Sequence, residues 1–224
     1  MKIKELSIYC ESLEASFPFY RDYFGLSLHH QEENELTMKV GHSILRLKQK
    51  AELVSGFLAF SIQLPGNKVR EAKNWYGART PEVKDRCISS FNGKRSVQAF
   101  GLTDHNGNEI ELHAFPEIYN PTQAPFGTRH LLNIDSLIFP VRLVEPVSDL
   151  LEKTGEIISF MHNNENECAM GSSTAYIHLM DFTKASELFN KPVVASPNFE
   201  LKLETNDRIL ELVNTNNRLE INEL

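Results

Sequence analysis

The residues best placed for chemistry lie on one short strand that follows a tight turn. The turn is the Asp-His-Asn-Gly-Asn segment at 104–108, where Gly and Asn tolerate a left-handed backbone. In the following strand, Glu109, Glu111 and His113 alternate with apolar residues, so the three side chains share one face. Glu111 and His113 could therefore share a divalent metal or line a polar cleft. The simpler interpretation of His113 is a solvent-bonded histidine at the rim of a cleft.

Two segments before and around this strand follow the same order of elements. In residues 3–48 a strand is followed by a helix that starts at Ser12 and stops at Gly25, and then by three strands. In residues 57–115 a strand, a helix and three further strands follow in the same order. A repeated βαβββ unit indicates an α+β fold more firmly than any single strand assignment does.

The remainder of the chain repeats this order in a shortened form. Residues 116–127 contain three prolines and are predicted to be a linker. Residues 128–224 again predict strands and short helices, and the NNRLEI segment near the end echoes the NGNEIEL segment of the first half. The sequence thus predicts two related regions, 1–115 and 128–224, with the second one trimmed.

The hairpin GLTDHNGNEIELHAF and the helix SLEASFPFYRDYFGL resemble those of the vicinal oxygen chelate superfamily. This superfamily includes glyoxalases, bleomycin- and fosfomycin-resistance proteins and extradiol dioxygenases. The resemblance implies tandem domains, the first complete, with its two units facing each other across one curved eight-stranded sheet. The tandem arrangement with a degenerate second half is also similar to the CppA family, some of whose members are labelled as degrading a complement protein.

The resemblance also implies a place for a metal, where up to four side chains from four strands converge. The matching positions are Glu5, Arg46, Phe57 and Glu111. A guanidinium repels a metal ion and pairs with carboxylates. This favours a buried ion-pair cluster of Glu5, Arg46 and Glu111 and no bound metal. A Zn, Ni, Mn or Fe ion held by Glu5, Glu111 and His113 is the alternative.

The second region offers a further set of candidate metal ligands. Asp135, His178 and Glu220 fall at roughly corresponding places, and an Asp/His/Glu set suits a divalent ion. Ordinary surface and core roles are nevertheless the favoured interpretation for all three.

Composition and charge narrow the functional classes. The chain has 224 residues, of which 41% are hydrophobic and 24% charged, as in ordinary globular proteins. Its formal net charge of -7 argues against nucleic acid or an anionic membrane as partner. The three cysteines, Cys10, Cys87 and Cys168, form no disulfide framework, and no apolar run resembles a signal core or a membrane span. A cytoplasmic location is expected.

Two classes of function follow from these residues and the resemblance. The first is a protein that binds a small molecule or a protein partner in its cleft without metal chemistry. The second is a metal-dependent lyase or dioxygenase of glyoxalase type. By the CppA resemblance alone, a protein-degrading or host-protein-interacting factor is a third alternative, and a homodimer is a further expectation. The cleft is predicted to be lined by Glu5, Ser7, Tyr9, Arg46, Phe57, Ala59, Phe100, Glu111 and His113.

Overall fold

A computed structural model describes residues 1–53, 57–80, 83–85, 98–115 and 121–224, without the side chains of 162 and 163. The predicted strand at 86–90 and Cys87 lie outside the described residues. The first seven strands are β1 (Lys2–Cys10), β2 (Leu28–Glu32), β3 (Glu35–Val40), β4 (Ser43–Gln49), β5 (Ala59–Gln63), β6 (Gln98–Thr103) and β7 (Glu109–Ala114). The other seven are β8 (Asn133–Val141), β9 (Ser159–Asn164), β10 (Glu167–Ser172), β11 (Ala175–Asp181), β12 (Phe199–Thr205), β13 (Arg208–Thr215) and β14 (Arg218–Glu223). The α-helices are α1 (Leu13–Pro18), α2 (Val69–Gly77), α3 (Val144–Gly155) and α4 (Phe182–Phe189).

The described strands form two seven-stranded sheets. The first sheet has the order β14-β13-β12-β1-β4-β3-β2, and the second has the order β6-β7-β5-β8-β11-β10-β9. In each of the first three units, the strand before the helix pairs in parallel with the last strand of the same unit: β1 with β4, β5 with β7, and β8 with β11. The last three strands form an antiparallel meander. The α+β fold built from βαβββ units, with the last unit trimmed, is confirmed.

The βαβββ units join into sheets in a different way from the one that the sequence predicted. β1 lies beside β12, and β5 lies beside β8, both antiparallel, so each sheet joins strands from both sides of the 116–127 segment. The single eight-stranded sheet expected within residues 1–115 is therefore wrong. Each inner strand needs a partner for its open edge, and the alternating pattern does not say which strand will supply it. The boundaries 1–115, 116–127 and 128–224 stay predictions.

One hydrophobic core lies between the two sheets. Strand alternation sends Leu6 and Ile8 of β1 into this core, together with Phe60 and Ile62 of β5. Helices α1, α2 and α3 contribute apolar residues to the same core. Each sheet therefore has one apolar face on the core and a second face that carries polar side chains.

Helix α1 shows how local sequence sets an element's bounds. The Ser12 hydroxyl accepts a hydrogen bond from the Ala15 amide at 3.2 Å, which confirms the predicted N-cap. Pro18 has no N–H to donate, and the chain continues from it as one wider π-helical turn, Phe19–Tyr23. Gly25 then ends the element with a φ of +80°.

Among the described helices, which reach 12 residues at most, none has the length and apolar character to cross a membrane.

The two sheets also meet at the tight turn between β3 and β4. Gly41 has a φ of +58°, and a Cβ at this position would lie 1.9 Å from the Leu132 carbonyl oxygen. The neighbouring His42 amide donates to that same oxygen at 2.8 Å. Only glycine allows the backbones to approach this closely.

Candidate functional site

The outer face of the first sheet carries charged side chains of both signs. We call it the first polar face, and it consists of Glu5, Ser7, Tyr9, Glu35, Arg46, Lys48, Glu200 and Lys202. Register explains the grouping, because Ser7 lies opposite Arg46 of β4 on one side and Glu200 of β12 on the other. The charged side chains of this face are partly exposed, from 13% for Glu5 to 32% for Lys202.

Arg46 lies between two carboxylates on this face. Its Nε is 2.9 Å from Glu5 Oε1, and its Nη1 donates to Glu35 Oε1. Glu5 also forms an ion pair with Lys202, whose Nζ lies 3.2 Å from Glu5 Oε1. The guanidinium thus holds the position that the resemblance gives to a metal ligand, and it neutralises Glu5 there.

A second group of ion pairs continues along the same face. Lys48 Nζ lies 2.5 Å from Glu200 Oε2, and the Tyr9 hydroxyl donates to Glu200 Oε1 at 2.7 Å. Burial disfavours the Glu200 carboxylate, but these two hydrogen bonds outweigh it and lower its pKa below 4.5. Burial and the same carboxylate raise the pKa of Tyr9, so the phenol stays a donor.

Ser7 lies at the centre of the first polar face. Its side chain is fully buried, and its Oγ has no hydrogen-bond partner among the residues that the structure describes. A buried hydroxyl without a partner is costly, so it marks a place where a further polar group fits.

The outer face of the second sheet carries a different set, which we call the second polar face. It consists of Ser61, Glu109, Glu111, His113, Asp135, Glu167 and His178. His113 Nε2 lies 2.7 Å from Asp135 Oδ2, and both side chains are buried. The pairing of β5 with β8 shifts by one residue between Ser61 and Ile62, and the bulge places Asp135 within reach of His113.

The other polar groups of the second face are also engaged with neighbours. Ser61 Oγ donates to Glu111 Oε1 at 3.4 Å, and His178 Nε2 is 3.4 Å from Glu167 Oε2. Burial lowers the pKa of His113, but the charges of Asp135 and Glu111 and the hydrogen bond to Asp135 outweigh it and leave that pKa raised. The solvent-bonded rim position predicted for His113 is therefore wrong, since the imidazole is fully buried in a pair.

Helix α4 covers part of the second polar face. Ala59 packs beneath Phe189 of this helix, and the Phe57 ring meets the Phe189 ring edge to face at 4.7 Å. Lys191, just past the helix, lies over the Phe57 ring at 3.4 Å and pairs with Glu109 at 3.3 Å. The aromatic at 57 thus belongs to the cover of the second face.

The structure separates the residues that were predicted to share one cleft. Glu5, Ser7, Tyr9 and Arg46 come together on the first face. Ala59, Glu111 and His113 belong to the second sheet, and Phe57 lies two residues before its strand β5. The predicted cluster of Glu5 and Arg46 is present, but Glu111 has no part in it. Phe100 is fully buried in the core, because β6 alternation places it beside Leu112 and away from Glu111.

The second candidate set is also divided. Asp135 and His178 lie in the second sheet, whereas Glu220 lies on β14 of the first sheet, half exposed and paired with Arg218 at 3.2 Å. The three side chains do not converge, because the units pair across the chain. Within the described ranges, no group of three or more His, Cys, Asp or Glu residues is arranged to hold a metal. Glu5, Glu111 and His113, the alternative ligand set, are likewise divided between the two sheets.

Sequence reasoning missed four members of the first polar face: Glu35, Lys48, Glu200 and Lys202. A signal for three of them was present, since FELKLET and the LRLK part of SILRLKQ alternate apolar and charged residues, while Glu35 lies in neither segment. What the pattern lacked was the information that β12 lies beside β1, which brings Glu200 and Lys202 next to Tyr9 and Glu5.

The two sheets of βαβββ units form a fold that is shared with solved structures of a dioxygenase and a glyoxalase. A putative dioxygenase from Bacillus subtilis matches all of this chain and 84% of its own, with a TM-score of 0.62 at 12% identity. A glyoxalase I mutant from Zea mays matches 96% of this chain and 89% of its own, with a TM-score of 0.53 at 13% identity. No protein-family model and no curated protein matches the chain. The finer resemblance to the CppA family stays a prediction.

Proposed function

We propose that the chain binds a small polar molecule on the first polar face without a metal ion. The observation that carries the proposal is Arg46, whose guanidinium bridges Glu5 and Glu35 where a metal would require free ligands. A fixed cation of this kind orients a ligand through hydrogen bonds and has no open coordination position.

The charges of the face suggest the chemical class of the ligand. Three carboxylates and three cations, Glu5, Glu35, Glu200, Arg46, Lys48 and Lys202, leave the face without net charge. A zwitterion can exchange partners with both signs of charge and leave none unpaired. The buried Ser7 hydroxyl offers such a ligand one more hydrogen bond at the centre of the face.

The alternative, a metal-dependent lyase or dioxygenase, requires several ligands that converge on an open position. On the second polar face, which carries His113 and His178, His113 is held by Asp135, and α4 covers part of the face. A protein-degrading role draws no support from the two cysteines that the structure describes, because Cys10 and Cys168 are buried and burial raises the pKa of both thiols.

The test is a thermal-shift screen against the zwitterionic amino acids, with Zn²⁺ tested separately. A ligand at ten times its dissociation constant stabilises by about 1.4 kcal/mol, which raises the midpoint of a chain of this size by about 3–6 °C. We expect such a rise in the wild type and in the control Arg70→Met, an exposed arginine of α2, and none in Arg46→Met.

Two results would contradict the proposal. One is a midpoint that no amino acid in the panel changes. The other is stoichiometric uptake of Zn²⁺ by the wild type that Glu5→Gln or Glu35→Gln abolishes, since that would assign the site to a metal.

A further inference from the structure

A groove of about 770 Å³ opens at one end of the core, between α3, the end of β8 and the β13–β14 hairpin. Phe139, Val147 and Leu219 are among the apolar side chains that line it. At its rim Leu143 and Val194 are 64% and 83% exposed. A concave apolar surface of this volume with large apolar side chains left in water is typical of a ligand site.

A buried hydrogen-bond acceptor also lines the groove. The Asn214 side chain is 1% exposed, and its Nδ2 donates to the Pro197 carbonyl at 2.6 Å. That bond fixes which way the amide points, and its Oδ1 then has no partner in the part of the chain that the structure describes. An unpaired buried carbonyl oxygen is unfavourable, and a ligand that brings a donor would satisfy it.

The rim of the groove carries positive charge. Arg142 is exposed and makes no ion pair with any described residue. Arg218, across the groove, is paired with Glu220 at 3.2 Å but is 81% exposed. In a chain of net charge -7, an unpaired guanidinium beside an apolar groove favours an anionic ligand there.

We propose that this groove binds an amphipathic organic anion. Its flat apolar body lies between α3 and the β13–β14 hairpin, a hydroxyl donates to Asn214 Oδ1, and a carboxylate pairs with Arg142. The site is separate from the first polar face, and neither proposal depends on the other.

The probe is 6-hydroxynaphthalene-2-carboxylate, which combines an apolar body, a hydroxyl donor and a carboxylate, with binding followed by calorimetry. We expect Arg142→Gln to weaken binding about 3- to 5-fold, as for the loss of one solvent-exposed ion pair. Val194→Asp, which places a negative charge at the rim, should weaken it at least as much. The control Arg70→Gln removes an exposed arginine outside the groove and should leave the affinity unchanged.

Two chemical analogues separate the contacts. The methyl ester of the probe lacks the charge and should bind wild type and Arg142→Gln equally, while naphthalene-2-carboxylate lacks the donor and should bind more weakly than the probe. Both substituted side chains are exposed, so unchanged thermal midpoints will verify the fold. Equal binding of the probe to wild type and Arg142→Gln would overturn the proposal, as would absence of binding at millimolar probe. A dimer that Val194→Asp dissociates would overturn it too, because a second copy would then occupy the groove.

Discussion

The buried pair of His113 and Asp135 gives a prediction whose size and pH dependence both follow from the structure. We consider Asp135→Asn, which removes the charge and keeps the shape of the side chain. The two groups are 2.7 Å apart, with exposed side-chain fractions of 0% and 4%. Removing one partner of a buried ion pair lowers the free energy of unfolding by about 3–5 kcal/mol. Because the asparagine can still form a neutral hydrogen bond, we expect a loss in the free energy of unfolding near the lower end, about 3 kcal/mol, at pH 6.

The pH dependence follows from the raised pKa of His113. A histidine with a raised pKa in the folded state contributes stability that is complete below its ordinary value of 6.5 and is lost as the pH rises through the folded pKa. Glu111 also raises this pKa and is unchanged in the variant. The cost of Asp135→Asn should therefore shrink toward about 1 kcal/mol, the value of a neutral hydrogen bond, as the pH rises to 9.

Urea denaturation of wild type and variant at pH 6, 7.5 and 9 measures this cost. The control is Asp149→Asn, which breaks the exposed pair of Asp149 with Lys153 and should leave the free energy of unfolding unchanged at each of these pH values. A cost for Asp135→Asn below about 1 kcal/mol at pH 6, or one that is equal at pH 6 and 9, would refute a charged buried pair.

Two further predictions concern the turn at Gly41 and the carboxylate of Glu200. Gly41→Ala should lower the free energy of unfolding in urea by more than about 2 kcal/mol, because its φ is +58° and the new Cβ would overlap the Leu132 carbonyl. The control Gly107→Ala has a φ of +81° but open space around it, so it should cost only the left-handed strain of about 1–2 kcal/mol. Equal costs for the two variants would contradict the close approach at Gly41. The lowered pKa of Glu200 means that its contribution is present above 4.5 and is lost as the pH falls through the folded pKa, so Glu200→Gln should destabilise at pH 7 and be neutral at the acid end of a thermal melt series. If Glu200→Gln destabilised the protein equally at every pH, the cause would be packing and the prediction would be contradicted.

The sequence predicted the elements well where local physics decides them. The N-cap at Ser12, the stop at Gly25 and the alternation of β1 and β7 all depend on neighbours within a few residues, and the structure has each of them. The contact of Glu5 with Arg46 was also predicted, from the ligand positions that the superfamily resemblance gives to the first and fourth strands, and the two strands do lie side by side.

The composition of the candidate site could not be predicted because it depends on which strand edges meet. β1 and β5 have similar alternation, and each could pair with the other or with a strand from the second half. The choice of β12 for β1 brings Glu200 and Lys202 to Arg46's face, and the choice of β8 for β5 brings Asp135 to His113. Burial of His113 is equally non-local, since it depends on this partner and on the bulge that positions it.

The pairing across the chain also explains why the two polar faces differ. The chain leaves β11 directly into α4, and this helix folds over Ala59 and Ile138 of the second sheet before the chain reaches β12. The second face is thereby covered with apolar contacts, and its charges are held in buried pairs. The first face receives β12 and its alternating charges, and its charged side chains remain partly exposed in ion pairs. The path of a single connecting helix therefore decides which of the two faces is covered.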